Sequence, residues 1–177
     1  MLTQSRLATN ITNGIIHAFK EYDASEIIMG LHEKKTDGDK FWGIFTPDLV
    51  NQLNRQIILC RCNRPLNTLR RIVVAVPSRV EFEQGFYRWI ERLARLAENL
   101  SCRIIFHGRI ESTSLINEYI RNQHPGVRAE YVLMEHWKEF TQLAQQMSSD
   151  HMLVVISARQ GTVSYKPVFE RLPMELY

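Results

Sequence analysis

The sequence predicts an α/β fold built on a parallel sheet, and three observations carry that prediction. Arg70 to Pro77 holds five consecutive apolar residues, rich in β-branched types and closed by a proline, the pattern of a strand buried on both faces. From Glu81 to Leu100 the apolar residues Phe82, Phe86, Ile90, Leu93, Ala97 and Leu100 recur at helical spacing of three and four. Cys102 to His107 is a second apolar run, stopped by Gly108. Strand, helix and strand with short joints make a βαβ unit, so the two strands should lie parallel with a right-handed crossover.

The other segments cover or extend that sheet. Thr9 or Asn10 can cap a helix that carries Ile11, Ile15, Phe19 and Tyr22 on one face. Glu26 to Leu31 follows as a short buried strand, and a polar loop runs from His32 to Lys40. The next helix should start near Phe45, because Pro47 is tolerable only in a first turn. Gln56 to Cys60 is a strand, and Arg61 to Leu69, with Asn63, Pro65 and Asn67, is the best linker. Beyond the βαβ unit, Leu115, Ile116, Tyr119 and Ile120 mark a helix ended by His124-Pro125-Gly126. Val127 to Leu133 alternates apolar with polar residues and is placed at the sheet edge. Trp137, Phe140, Ala144 and Met147 give a further helix, Met152 to Ile156 a buried strand, and Phe169 and Leu172 close a polar C-terminal stretch. The strands starting at Arg71, Cys102, Val127 and Met152 are expected in the order third, second, first, fourth, with the uniformly apolar first strand in the centre.

Composition narrows the function classes. A chain of 177 residues suffices for one α/β domain, or for one plus part of another, and needs no disulfide staple. A net charge of +3 is too small to indicate a nucleic-acid binder, so no nucleic-acid partner is expected. Between Arg61 and Arg109 ten arginines face four glutamates, read here as a solvated helix face. Cys60, Cys62 and Cys102 lie in strand-like runs and read as buried thiols of a reducing compartment. No run approaches the roughly 18 apolar residues that span a bilayer, so the polypeptide as given is expected to be soluble. The six histidines are scattered with no i, i+4 metal pair, and no Gly-x-Ser-x-Gly elbow occurs; neither a metal, a cofactor nor catalysis is expected. His17, His32, His107 and His151 could tune a pH response.

Helix, short acidic turn, buried strand, polar loop and aromatic-led helix occur twice, around Glu26 and around His151, at an offset of 151 − 26 = 125 residues. That argues for a tandem, incomplete repeat of one α/β unit. A fourth strand ending in Gly30-Leu31-His32, with a spaced glycine before the next helix, resembles the universal stress protein fold, a doubly wound sheet that binds adenine nucleotides. More specifically, Asn10 to Ile15, Asn67 to Pro77 and Ser157 to Gly161 resemble the cytoplasmic C-terminal tandem stress-protein region of bacterial cation:proton (Na+/H+) antiporters.

The resemblance implies the end of a first repeat at 1–62, a linker at 63–68 and a second repeat at 69–177. It implies a non-catalytic regulatory or sensor domain on the cytoplasmic side of the bacterial inner membrane, joined to a membrane transporter in the same parent protein. Because Ile57 to Cys60 ends a partial unit with an open strand edge, a homodimer, or tight packing of the first repeat on the second, is expected. The alternative is a free-standing stress-protein-like adenine-nucleotide binder. In the stress-protein frame the phosphate loop maps to Gly30, His32, Glu33, Gly43 and Ile44. Glu33 replaces a glycine and Ile44 a hydroxyl, and two unit charges about 4 Å apart repel by roughly 4 kcal/mol at an effective dielectric of 20. ATP is therefore expected to bind poorly there, and an adenosine-like ligand better. In the second repeat Val155 and Ala158 take the loop positions, and Pro77-Ser78 stands where nucleotide binders carry an acidic residue.

Overall fold

The computed structural model describes residues 3–30 and 46–170, and the chain divides into two units, Met1–Asn63 and Arg64–Tyr177. In the first unit, helix α1 (Ile11–Glu21) starts where Asn10 accepts a hydrogen bond from the Asn13 amide at 2.8 Å, one of the orphan donors of a first turn. Strand β1 (Glu26–Gly30) runs parallel to β2 (Gln56–Cys60), with Glu26 opposite Gln56 and Gly30 opposite Cys60. Helix α2 (Thr46–Gln52) has Pro47 as its second residue, where a missing amide hydrogen costs nothing; Phe45 lies outside the described residues. Ile16, Leu49 and Leu53 form the core of this unit, with Ile15, Phe19, Ile27, Met29 and Ile57 packed on them.

The second unit holds β3 (Arg71–Ala75), α3 (Phe86–Leu100), β4 (Arg103–Gly108), α4 (Ile110–Gln123), β5 (Ala129–Leu133), α5 (Glu139–Gln145) and β6 (His151–Val155). Its four strands are all parallel in the order β5-β4-β3-β6, the order expected from the sequence, with the alternating strand β5 at the edge. Parallel pleats send alternate residues to opposite faces. Ile72, Val74, Val76, Ile104 and Phe106 pack with Phe86, Trp89 and Ile90 of α3 and Ile116 and Ile120 of α4. Ala75, Leu153 and Val155 pack on the other face with Phe140 and Leu143 of α5 and with Phe169. The sheet is thus covered on both sides, which explains its near-continuous apolar strands.

Four expectations are corrected. The segment 81–100 is not one helix: Val80–Phe82 is a 3-10 turn, α3 starts after Gly85, and Phe82 stands 72% exposed rather than in the core. The physical reason is that the Glu81 and Glu83 carboxylates are drawn to hydroxyls on other elements, Ser112 and Ser164, which fixes this stretch as a loop. Gly108 is the last residue of β4 rather than a stop after it, so His107 lies within the strand. Val127 and Arg128 precede β5, because the Val127 amide bonds the His124 carbonyl at 3.0 Å and closes a turn. Of the cysteines only Cys102 is buried; Cys60 ends β2 half-buried, and Cys62, past the strand, is exposed. Leu172 lies outside the described residues.

Candidate functional site

In a doubly wound sheet the ligand crevice opens at the carboxyl ends of the strands where the winding reverses. Here β3-α3-β4-α4-β5 progresses in one direction across the sheet, and the chain then returns to place β6 on the other side of β3. The reversal therefore falls between β3 and β6. Its walls are the loop that follows Ala75 and the loop that follows Val155, with the start of α4 beside them.

The loop after β3 is held on two sides. Ser112 of α4, fully buried, donates its hydroxyl to Glu81 at 2.6 Å. Glu83 accepts the Ser164 amide at 2.9 Å as well as the Ser164 hydroxyl, which joins the loop after β3 to the loop after β6. Burial raises the Glu83 carboxyl, but the bonds from Ser164 and from Thr162 outweigh it and hold the group below its ordinary value. Glu83 is thus a structural anion of the crevice wall, satisfied by hydroxyl and amide donors.

Between these anchors the loop passes through Arg79 in the left-handed region, at φ 66°. Such a conformation in a residue with a Cβ costs about 1–2 kcal/mol and persists where the surroundings enforce it. Arg109 precedes α4 as its N-cap residue and donates Nε to the Glu135 carbonyl at 3.3 Å. Lys166 lies on the loop after β6. Its ammonium is held below its ordinary value, first by burial and then by the charges of Arg109 and Arg79. Arg79 and Arg109, both exposed, and half-buried Lys166 thus come from three different loops at the carboxyl edge, near enough for the two arginines to act on the lysine. Arg159, half-buried in the same loop as Lys166, is lowered by burial as well.

Of the residues mapped onto the stress-protein phosphate loop, Gly30 ends β1; His32, Glu33, Gly43 and Ile44 lie outside the described residues. In the second unit Val155 closes β6, while buried Pro77 and half-buried Ser78 follow β3, so these positions do border the reversal point. His107 is half-buried on the sheet, and burial lowers its imidazole, favouring the neutral form. Among the described residues no group of three or more His, Cys, Asp or Glu side chains is arranged to hold a metal, and no helix is long and apolar enough to cross a membrane.

Sequence reasoning missed Arg79, Arg109 and Lys166. A signal existed for two of them: Arg79 follows the end of β3 by four residues, and Arg109 follows β4 directly, the positions where a parallel sheet presents ligand groups. Lys166 comes eleven residues after β6, and only the fold of that loop returns it to the edge. No protein-family model and no curated protein sequence matches the chain.

Proposed function

We propose that this chain is a non-catalytic regulatory or sensor domain of a monovalent cation:proton antiporter, placed on the cytoplasmic side of the bacterial inner membrane, and that it senses a phosphate-bearing ligand at the β3/β6 crevice. One observation supports the sensing: Arg79, Arg109 and Lys166 converge on that crevice, while the carboxylates of the intervening loop are engaged by Ser112 and Ser164. Like charges brought near one another repel, and Lys166 is half-buried beside the exposed Arg79 and Arg109, so a counter-charge is favoured there. A bound anion supplies it. The crevice holds the ligand by charge and by the fixed loop geometry, and a binding role asks for no nucleophile or base.

The antiporter assignment and the finer stress-protein fold rest on the sequence resemblance. The 125-residue offset is consistent with them, since β1 begins at Glu26 and β6 at His151. In the first repeat Glu33 weighs against phosphate, so an adenosine-like ligand is the better candidate there. Homodimerisation would give the two-stranded sheet of the first unit a partner edge. The second reading, a free-standing adenine-nucleotide binder of the stress-protein type, shares the crevice and differs in having no membrane partner.

The reading frame upstream of the Met1 codon separates the two. Hydrophobic spans in frame before Met1 are expected, and a stop codon in their place would overturn the antiporter reading. Incubation with ATP should leave it intact; steady release of phosphate, lost in a Lys166→Gln variant, would contradict the non-catalytic role.

A further inference from the structure

At the other end of the second unit, His124 ends α4 and is nearly enclosed, its side chain 10% exposed. Glu91 Oε2 lies 2.6 Å from Nε2, and Glu98 Oε1 lies 3.2 Å from Nδ1. Both carboxylates come from α3, where 91 and 98 are two turns apart on one stripe. A neutral imidazole carries one N–H and one lone pair, so it can donate to only one of them. The imidazolium alone satisfies both acceptors. Its charge also sits at a helix C-terminus, where the backbone dipoles favour a cation.

We propose that His124 is a proton-operated latch that fastens the C-terminal turn of α4 to α3 and releases it when the proton leaves. On deprotonation to water one ring nitrogen presents a lone pair to a carboxylate oxygen, which turns an attraction into a repulsion. The groups facing the imidazole are Glu91 and Glu98 from α3 and the Tyr119 phenol from α4, which donates to Glu91 Oε2 at 3.0 Å. Arg95 faces it through Glu91, donating Nε to Oε1. Burial favours the neutral ring, but the bonds to Glu91 and Glu98 and their charges outweigh it and raise the imidazole above its ordinary value.

What the latch holds is defined by the backbone. His124 bonds Ile120 through its amide and Val127 through its carbonyl, at 2.8 and 3.0 Å, and so forms the turn that leads into the edge strand β5. Arg128 then donates to the Ser101 carbonyl at 2.8 Å, next to the end of α3. Opening His124 frees the approach to β5, while the β3/β6 crevice at the opposite end of the strands is untouched. The latch thus stands independently of the proposed ligand site.

The test is a pH titration by nuclear magnetic resonance of the two ring nitrogens and the backbone amides, with the His124 signals assigned by their loss in His124→Gln. Both ring nitrogens of His124 should carry protons on the acidic side of the titration, with a midpoint above the ordinary value of about 6.5. The amides of 95–101 and 120–128 should shift with that same midpoint, whereas those of β3 should not. Glu98→Gln, at a partly exposed position that leaves the core intact, should lower the midpoint. A midpoint at or below 6.5, amides that do not follow it, or no change in Glu98→Gln would each overturn the latch.

Discussion

Gly108 shows how one missing methyl fixes a strand end. A Cβ there would stand 3.0 Å from the Val76 Cβ and 3.4 Å from the Val76 carbonyl oxygen, so β4 and the residue after β3 approach this closely only with glycine. Gly108→Ala should lower stability by about 1–3 kcal/mol, the cost of overpacking, read as an earlier denaturant midpoint at unchanged slope. Arg79 should behave in the opposite way. Arg79→Gly relieves a left-handed residue and removes one of three gathered charges, so it should gain about 1 kcal/mol while losing ligand response. Tyr131, whose buried hydroxyl has no hydrogen-bond partner among the described residues, is pushed up to about 12 by that burial. Its ring stacks on Phe106 at 5.7 Å, a contact phenylalanine keeps, so Tyr131→Phe should be neutral or stabilising by up to about 1 kcal/mol in thermal unfolding.

Helices α3 and α4 carry one pH dependence of the fold, with opposite signs at the two ends of the scale. His124 is raised in the folded state, so its stabilisation is fully present below about pH 6.5 and is lost as pH rises through the folded value. Glu91 is lowered to about 2, foremost by the bond to His124, so its contribution is present above its ordinary value and is lost as pH falls toward 2. Denaturant midpoints of wild type and His124→Gln should therefore converge on the alkaline side, with the wild type ahead between the two limits. A gap that stays constant with pH would assign His124 a packing role only. The elements themselves were legible because each apolar run matched one period: 3.6 for α3 beyond Gly85, and an unbroken run for β3. The start of α3 was not, since Phe82 fits the helical spacing and only the pull of Ser112 and Ser164 on Glu81 and Glu83 breaks it. Nor was the latch, whose members Glu91 and His124 are 33 residues apart with no spacing rule to join them.

At the scale of the molecule, the sheet order could be read in advance because one strand alternated and the others did not, which separates an edge from a centre. The candidate site could be read only as an edge of that sheet. Motif reasoning led to Gly30 and its loop, a comparison of residue types within a known frame, whereas the crevice is made by charges that meet only after β6 returns beside β3. A cluster of like charges should also answer to salt. Thermal stability of the wild type should rise with added pyrophosphate more than with the same ionic strength of sodium chloride, since specific occupancy stabilises by mass action and screening alone does not. The most direct measurement is calorimetric titration of wild type and Lys166→Gln with pyrophosphate, and of both with adenosine as the uncharged control. Pyrophosphate binding to the wild type, weakened on the order of tenfold in the variant as one lost contact of about 1.4 kcal/mol requires, is the expected result. Equal affinity of the two proteins for pyrophosphate, or no binding by either, would contradict an anion-sensing crevice between β3 and β6.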